Sequence, residues 1–199
     1  MMEQCKEKLS IAMFGQKRIP SREGGVEIVV EELCTRMVAQ GHNVTCYNRG
    51  GHHVSGSEYD SKRLKEYKGI KLKTVPTIEK KGLAAVSSSF FAALCCAFGK
   101  YDIVHIHAIG PALLVPIARL LGIKVVFTHH GPDYDRDKWG FFAKTMLKLG
   151  ERMGTIFANE VIVISEVIND LLVKKYGRRD CHLIYNGCLL YTSPSPRDM

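Results

Sequence analysis

The fold is decided by residues 9–47, which read LSIAMFGQKRIPSREGGVEIVVEELCTRMVAQGHNVTCY. The stretch opens with a short apolar run, Leu9–Gly15, that has the length of a buried strand. Gly25–Gln40 then repeats apolar residues at helical spacing and ends at Gly41, where a helix favours glycine. A second apolar run, Asn43–Tyr47, follows immediately. This order predicts a βαβ unit whose two strands are parallel.

The same alternation continues along the chain. We predict further strands at Ile70–Val75, Ile103–Ile106, Lys124–Thr128, Glu160–Ile164 and His182–Tyr185, and further helices at Leu83–Phe98, Pro111–Leu121, Trp139–Phe157 and Glu166–Lys175. The first helix is expected to bury the face that carries Val26, Val29, Val30, Leu33 and Met37, with Glu27, Glu31 and Arg36 off it. Short, nearly all-apolar strands are typical of a parallel sheet. The predicted fold class is α/β, a doubly wound Rossmann-like parallel sheet covered on both faces.

The composition is that of one soluble globular domain, since the 199 residues are 46% hydrophobic and 24% charged. The N-terminus is polar and shows no leader-like apolar stretch. The longest apolar segment, Leu83–Phe98, is too short to span a bilayer. Seven cysteines without paired metal-ligand spacing indicate reduced thiols, so the expected location is the cytoplasm.

The net charge of +8 gives a basic surface. The basic residues are spread out rather than interleaved with aromatic residues, so nucleic acid is not an expected partner. The helix at 138–157 mixes aromatic and methionine side chains with basic ones, as do helices that rest on an anionic membrane face. Peripheral contact at the inner face of the membrane is one interpretation of this helix. The other is an ordinary amphipathic helix packed on the sheet.

The chain divides into a polar extension (1–8), the α/β domain (9–187) and a tail (188–199). Pro194 and Pro196 exclude a continuing helix or central strand in the tail. The run Cys188–Asp198 also matches, residue for residue, the translation of a common sequencing-library adapter. We interpret the tail as an assembly artefact, and a genuine disordered tail is the alternative.

Polar, glycine-bearing segments follow four of the predicted strands. They are Gln16–Gly25, His105–Pro111, Thr128–Asp133 and Ser165–Glu166. In open α/β sheets, ligands bind outside the carboxyl ends of the strands, where the strand order reverses. The four segments therefore predict a binding crevice at that edge.

The glycine pair Gly24-Gly25 opens the first helix and suits close approach of a diphosphate to the helix N-terminus. Lys17, Arg18 and Arg22 add positive charge to the same loop. The loop lacks the G-x-G-x-x-G fingerprint, and no acidic residue ends the second strand, so a dinucleotide cofactor is disfavoured. An ordinary glycine turn into a helix is the alternative.

Two pairs of histidines fall in the predicted crevice segments. His105 and His107 lie along one strand, and we expect only one of them to face a given side of the sheet. No carboxylate or cysteine completes a familiar ligand set, so no metal site is predicted. His105 and His129 are expected to be hydrogen-bonded within the protein. His130, just before Gly131 at a strand end, is the better candidate for a hydrogen bond to a ligand.

Landmark motifs occur in order at Gly15–Pro20, Gly24–Glu27, Glu31–Leu33, Gly41–Val44, Tyr47–Arg49, Asp102–His107, Thr128–Gly131, Val161–Glu166 and Ile184–Gly187. In this order they resemble the family 4 glycosyltransferases, retaining enzymes with the two-domain GT-B fold. The likeness is greatest to a rhamnosyltransferase-like group. The chain departs from that group at Lys17-Arg18, where Arg-Gly is usual, and at Val26, which replaces an aromatic residue.

The resemblance implies the amino-terminal, acceptor-side half of such an enzyme, with the half that binds the nucleotide sugar missing and the chain inactive by itself. The substrates would be a nucleotide-sugar donor and a glycan or lipid-linked acceptor in polysaccharide assembly, with no cofactor. His130 is the implied catalytic residue, through a hydrogen bond to the transferred sugar. The implied donor or acceptor contacts are Gly24, Gly25, Glu27, Arg18, His107 and Gly131.

Two other functions remain open from the sequence. A sugar-nucleotide epimerase is built on the same two-domain fold, and the missing half would discriminate it from a transferase. A non-catalytic Rossmann-like binding module is the other.

Overall fold

The computed structural model describes residues 7–22, 24–51, 64–79, 83–135 and 139–187. The tail at 188–199 and most of the N-terminal extension lie outside the described residues. The strands are β1 (Ser10–Phe14), β2 (Asn43–Arg49), β3 (Glu66–Tyr67), β4 (Ile70–Val75), β5 (Ile103–His107), β6 (Val125–His129), β7 (Glu160–Val163) and β8 (His182–Leu183). The helices are α1 (Gly25–Ala39), α2 (Leu83–Phe98), α3 (Val115–Leu120), α4 (Phe141–Phe157) and α5 (Glu166–Tyr176), with short 3-10 helices at Pro111–Leu114 and Asp133–Asp135.

Within the described residues the strands form one sheet in the order β3-β4-β2-β1-β5-β6-β7-β8. Every neighbouring pair is parallel except β3 with β4. The chain builds the sheet outward from β1 in one direction and then returns to build it from β5 in the other. The predicted doubly wound parallel sheet is confirmed, and its strand order reverses between β1 and β5.

The two faces of the sheet carry different numbers of helices. One core cluster joins α1 to β1, β2 and β4 through residues such as Met13, Val30 and Cys46. The other joins α2, α3, α4 and α5 to the opposite face, with Phe14 and Phe127 at its centre. Of the helices in the described ranges, α1 alone covers the first face. Helices therefore cover both faces of the sheet as predicted, but they are distributed unevenly between the two.

Helix α1 confirms only part of the predicted buried face, because Val26, Val30, Leu33 and Met37 belong to or pack against the core cluster but Glu27 and Glu31 are buried as well. Its buried residues are Glu27, Val30, Glu31 and Cys34, whereas Val26, Val29, Leu33 and Met37 are only half-buried. Each buried carboxylate has partners, which lowers the cost of its burial. Glu27 accepts a hydrogen bond from the Lys17 backbone N–H at 2.9 Å. Glu31 pairs with Arg22 at 2.8 Å and with Lys68 at 2.9 Å.

Three further elements differ from prediction. The helix expected at 111–121 is a 3-10 helix followed by α3, because Pro116 has no N–H to donate to the preceding turn. β3 lies between β2 and β4 in the chain, where no strand was predicted, and pairs antiparallel to β4. β8 has two paired residues, and the Ile184 N–H makes a further hydrogen bond to the Val163 carbonyl of β7 at 2.9 Å.

Gly15 lets the ends of β1 and β5 approach each other. Its φ is +116°, and a Cβ at this position would overlap the carbonyl oxygen of His107. Only glycine combines that backbone conformation with that contact. The loop after β1 therefore begins directly against the end of β5.

Gly15→Ala is expected to lower the free energy of unfolding by more than about 3 kcal/mol, because the new Cβ would be strained and would overlap backbone. Gly41→Ala is the matched control, since Gly41 also has a positive φ (+92°) but has open space around it. That control should cost only about 1–2 kcal/mol. Urea titration measures both, and equal losses would contradict a role for the contact between Gly15 and His107.

Candidate functional site

The four polar segments lie at one edge of the sheet. Because β1, β5, β6 and β7 are parallel, the segments that follow them all emerge at the carboxyl ends. The first two flank the point between β1 and β5 where the strand order reverses. This is where open α/β sheets bind ligands.

The loop after β1 is fixed to the end of β2 by side chains. Asn48 accepts from the Ile19 N–H at 3.1 Å and donates to the Ile19 carbonyl at 2.8 Å. The Arg18 guanidinium donates to the carbonyls of Arg49 and Gly51, at 3.0 and 2.9 Å. The structure gives Arg18 a role in holding the loop in place, and its contact with a substrate stays a prediction. Asn48 was missed, because a polar residue ending a strand gives no distinctive sequence signal.

The two glycines at the start of α1 have different surroundings. Gly24 is extended (φ −152°), and a Cβ there would overlap the carboxylate of Glu27. Glu27 is buried, and its carboxylate accepts a hydrogen bond from the Lys17 N–H. The structure therefore gives Glu27 a role in shaping the loop after β1. Gly25 is exposed, and a Cβ there would meet nothing within 4 Å. The space beside Gly25 is therefore open, and a helix N-terminus generally favours an anion.

His105 and His107 share one face of the sheet, so the expectation that only one would face a given side is wrong. Side chains alternate along a strand with a period of two, which places residues i and i+2 together. Their rings stack with centroids 4.1 Å apart, and the ring of His130 stacks on His107 at 5.4 Å. The three rings form a histidine ladder, His105–His107–His130.

Hydrogen bonds hold the histidine ladder in place. His105 Nε2 lies 2.7 Å from Thr128 Oγ1, and His107 Nδ1 lies 3.1 Å from His130 Nε2. His107 is fully buried, and its Nε2 has no hydrogen-bond partner among the described residues. The prediction that His105 is hydrogen-bonded within the protein is confirmed. The ladder connects the end of β5 to the end of β6.

Burial keeps the ladder uncharged. Burial, with a smaller contribution from a neighbouring imidazole in each case, lowers the pKa of His105 to about 3 and that of His130 to about 4. The pKa of His107 is also well below its usual value, first through burial and then through the other two rings. A neutral imidazole donates one hydrogen bond and accepts another. The described residues contain no group of three or more histidine, cysteine or acidic side chains placed to hold a metal ion.

His129 points to the opposite face from His130. Its Nε2 lies 3.0 Å from Glu151 Oε1, and its Nδ1 accepts from the Gly131 N–H at 3.0 Å. The prediction that His129 is hydrogen-bonded within the protein is confirmed. Glu151 is a buried residue of α4 that sequence reasoning missed, because a single glutamate in an amphipathic helix is usually solvated.

The backbone adopts positive φ angles where the ladder ends, and this conformation is strained at Ala108. Ala108, directly after His107, has a φ of +70°, and Gly131, directly after His130, has a φ of +128°. Left-handed conformations of residues other than glycine cost free energy and are concentrated at functional sites. Both strand ends thus turn sharply just past the ladder.

A groove of about 370 Å³ runs beside the ladder, on the face that carries α1. Its floor is formed by His105, His107 and Thr128, and one wall by α1. Ile162 and Ile164 of the β7 segment and the chain beyond β8 form the other wall. Two of the predicted crevice segments supply the floor of this groove, but its walls were not predicted, because they depend on the uneven placement of helices.

A family model described as Glycosyltransferase Family 4 matches residues 23–188, most of the chain. The chain belongs to glycosyltransferase family 4. Among curated protein sequences, none matches this family 4 chain. The described part of the chain contains no helix that is long and apolar enough to cross a membrane.

Solved structures share the fold. Sucrose-phosphate synthase of Thermosynechococcus elongatus matches with a TM-score of 0.65 and 15% identity, over 91% of this chain and 48% of that chain. Anabaena HepE, in complex with UDP and glucose, matches with a TM-score of 0.62 and 15% identity, over 92% of this chain and 45% of that chain. The catalytic domain of starch synthase IV of Arabidopsis thaliana, bound to ADP and acarbose, matches with a TM-score of 0.64 and 14% identity, over 91% of this chain and 52% of that chain. The sheet is that of a GT-B Rossmann-like domain, and this family 4 chain spans about half the length of these proteins.

The neutral ladder makes the stability of this family 4 domain fall in acid. A histidine with a lowered pKa binds its proton more readily when unfolded, so its contribution is complete above pH ~6.5 and is lost as the pH falls towards the folded value. For His105 the loss between pH 6.5 and 5 is about 2 kcal/mol. Urea unfolding should therefore show a smaller loss over this range in His105→Gln than in the unaltered chain. Equal losses in the two proteins would contradict the burial of a neutral His105.

Proposed function

We propose that the chain is the amino-terminal, acceptor-side domain of an enzyme that transfers a sugar from a nucleotide-diphosphate donor to a glycan or lipid-linked acceptor in glycoconjugate synthesis. The observation that carries the proposal is the open N-terminus of α1 at Gly25, on the same sheet edge as His130. The helix N-terminus suits an anion, and the imidazole of His130 suits a sugar hydroxyl. Family 4 membership favours a transferase over the epimerase and the non-catalytic module.

The α1 N-terminus is proposed to face the diphosphate, directly or across the acceptor. Negative charge grows on the departing diphosphate as the glycosidic bond to it breaks. Fixed N–H groups and the positive end of a helix stabilise such charge without having to reorganise. Gly25 keeps this approach clear, because any larger side chain would project into the open space.

His130 is proposed to hydrogen-bond the transferred sugar. As a neutral imidazole it matches a hydroxyl, whereas an imidazolium would instead pair with the diphosphate. The ring is held by His107 from behind, at 3.1 Å. His107 and Gly131 are proposed to shape the same contact, one through the ladder and the other through the sharp turn after His130.

The remaining half of the enzyme is proposed to hold the nucleotide. HepE binds UDP and glucose, and starch synthase IV binds ADP and acarbose, and each is about twice as long as this chain. We propose that residues 9–187 continue into a second α/β domain that holds the donor, and that the chain alone is inactive. The rhamnosyltransferase-like group, the adapter origin of the tail and a cytoplasmic location remain parts of this proposal.

The test uses the full-length protein from the source locus, with nucleotide sugars as donors and lipid-linked or oligosaccharide acceptors. His130→Ala is expected to lower turnover about ten- to a thousand-fold, through loss of a hydrogen bond that strengthens in the transition state. Gly25→Val is expected to abolish transfer, because the side chain obstructs the helix N-terminus. Release of the nucleoside diphosphate measures both effects.

Matched controls separate chemistry from folding. Gly140, the residue directly before α4, also has open space around it, so Gly140→Val should retain transfer. His42 accepts a hydrogen bond from the Leu9 N–H at the opposite edge of the sheet, so His42→Ala should affect stability rather than turnover. Wild-type turnover in both Gly25→Val and His130→Ala would overturn the proposed function.

We also propose that the start of α4 rests on an anionic membrane face. Phe141 and Phe142 are 89% and 78% exposed at the first turn of the helix. Helices run antiparallel to the strands of a parallel sheet, so this turn lies at the carboxyl edge, beside the crevice. Lys144 and Lys148 follow within two turns and suit acidic headgroups. A lipid-linked acceptor would then reach the crevice from the membrane.

Replacing Phe141 and Phe142 together with Ser is expected to reduce co-sedimentation with phosphatidylglycerol vesicles at least about tenfold, since each buried ring contributes roughly 1.5–3 kcal/mol. Phe98→Ser is the control, because Phe98 is 84% exposed at the far end of α2, on the opposite edge. Equal binding of the double variant and the control would exclude this contact.

A further inference from the structure

The carboxylate of Glu151 is fully buried and surrounded by hydrogen-bond donors. Oε1 lies 3.0 Å from His129 Nε2 and 3.0 Å from Tyr134 Oη. Oε2 accepts from Lys175 Nζ at 3.0 Å and from Tyr176 Oη at 2.7 Å. One carboxylate therefore joins α4, α5, the 3-10 segment at 133–135 and the end of β6.

Close packing of α4 brings Glu151 to this position. A Cβ on Gly150 would overlap the Ile109 carbonyl, and a Cβ on Gly154 would meet the ring of Phe127. The helix thus lies directly against the sheet and the chain after β5, with Glu151 between these two glycines. Burial acts to raise the pKa of Glu151, but hydrogen bonds from His129, Tyr176 and Lys175 outweigh it and lower this pKa to about 2.

An ionised carboxylate only accepts hydrogen bonds, so His129 must donate to Glu151 from Nε2. The second ring nitrogen, Nδ1, accepts from the Gly131 N–H. A neutral imidazole that donates at Nε2 has its lone pair at Nδ1, which that contact requires. Glu151 thereby selects the tautomer that can hold Gly131.

Holding Gly131 restricts His130, because His130 lies between the two bonded residues in the chain. The side chain of His129 points towards α4, and that of His130 points to the other face of the sheet. Gly131 turns back with a φ of +128° to reach the His129 ring. The peptide groups on both sides of His130 are thereby fixed, and its imidazole meets His107.

We propose that Glu151 and His129 are positioning residues for His130. Glu151 fixes the tautomer of His129, His129 holds the Gly131 N–H, and the His130 imidazole is presented to the sugar in one orientation. The catalytic part of this inference rests on the proposed function, whereas the placement of His130 does not. The opposing view is that the network only fastens helices together.

Two substitutions of His129 distinguish these views in the full-length protein. Asn places a side-chain oxygen near the position of Nδ1, so His129→Asn keeps an acceptor for the Gly131 N–H. His129→Phe has no acceptor. If His129 positions His130, kcat per folded molecule should fall about 100-fold in His129→Phe and less than about fivefold in His129→Asn. A purely structural network predicts equal kcat for the two.

Tyr176→Phe is the matched control, because Tyr176 donates to the oxygen of Glu151 that is remote from His129. It should lower the melting temperature and leave kcat within about twofold. A fall in kcat as large as that of His129→Phe would show that general loosening of the network, rather than the link to Gly131, affects turnover. That result would overturn the proposal.

Imidazole nitrogen NMR of the full-length protein gives a second readout that needs no turnover. Wild-type His129 should be protonated at Nε2, and the His130 nitrogen shifts should change in His129→Phe but stay near wild type in His129→Asn. Protonation of His129 at Nδ1, or unchanged His130 shifts in the Phe variant, would overturn the inference. If the wild type transfers no sugar while the shifts behave as expected, the proposed function fails and the placement of His130 stands.

Discussion

The approach of Gly15 to the His107 carbonyl is the contact on which the site depends. It lies between β1 and β5, where the strand order reverses. The loops that follow these two strands lead away from this point in opposite directions along the sheet. A Cβ at Gly15 would push the loop after β1 away from β5 and separate the N-terminus of α1 from the histidine ladder. The distance between the proposed anion site and the proposed sugar contact thus depends on this backbone contact, which tolerates no side chain, and on the hydrogen bonds of Asn48 and Arg18 that fix the loop to the end of β2.

Charge is divided between the two sides of the crevice. The positive potential comes from helix N–H groups and from arginines whose charge does not depend on pH. The histidines contribute none, because burial keeps them neutral. The proposed function therefore places the diphosphate on the α1 side and leaves the imidazole side for hydroxyl groups.

Sequence periodicity predicted the sheet well, because apolar strands and helices repeat regularly from Leu9 to Tyr185. It failed at Glu27 and Glu31 of α1, since a pattern of apolar residues does not show that these two carboxylates have partners. It also could not show Glu151, whose partners come from helices and loops distant in the chain. The crevice edge followed from strand direction alone, whereas the contacts that shape the crevice required the tertiary structure.

Two adjacent histidines serve two faces because side chains alternate along a strand. His129 takes part in a network of buried hydrogen bonds, and His130 stacks on the ladder. Because they share a peptide bond, the orientation of one constrains that of the other, and no intervening residue can absorb a displacement. A buried carboxylate on α4 can therefore influence the opposite face of the sheet without touching it. The coupling needs only a fixed tautomer and one backbone hydrogen bond.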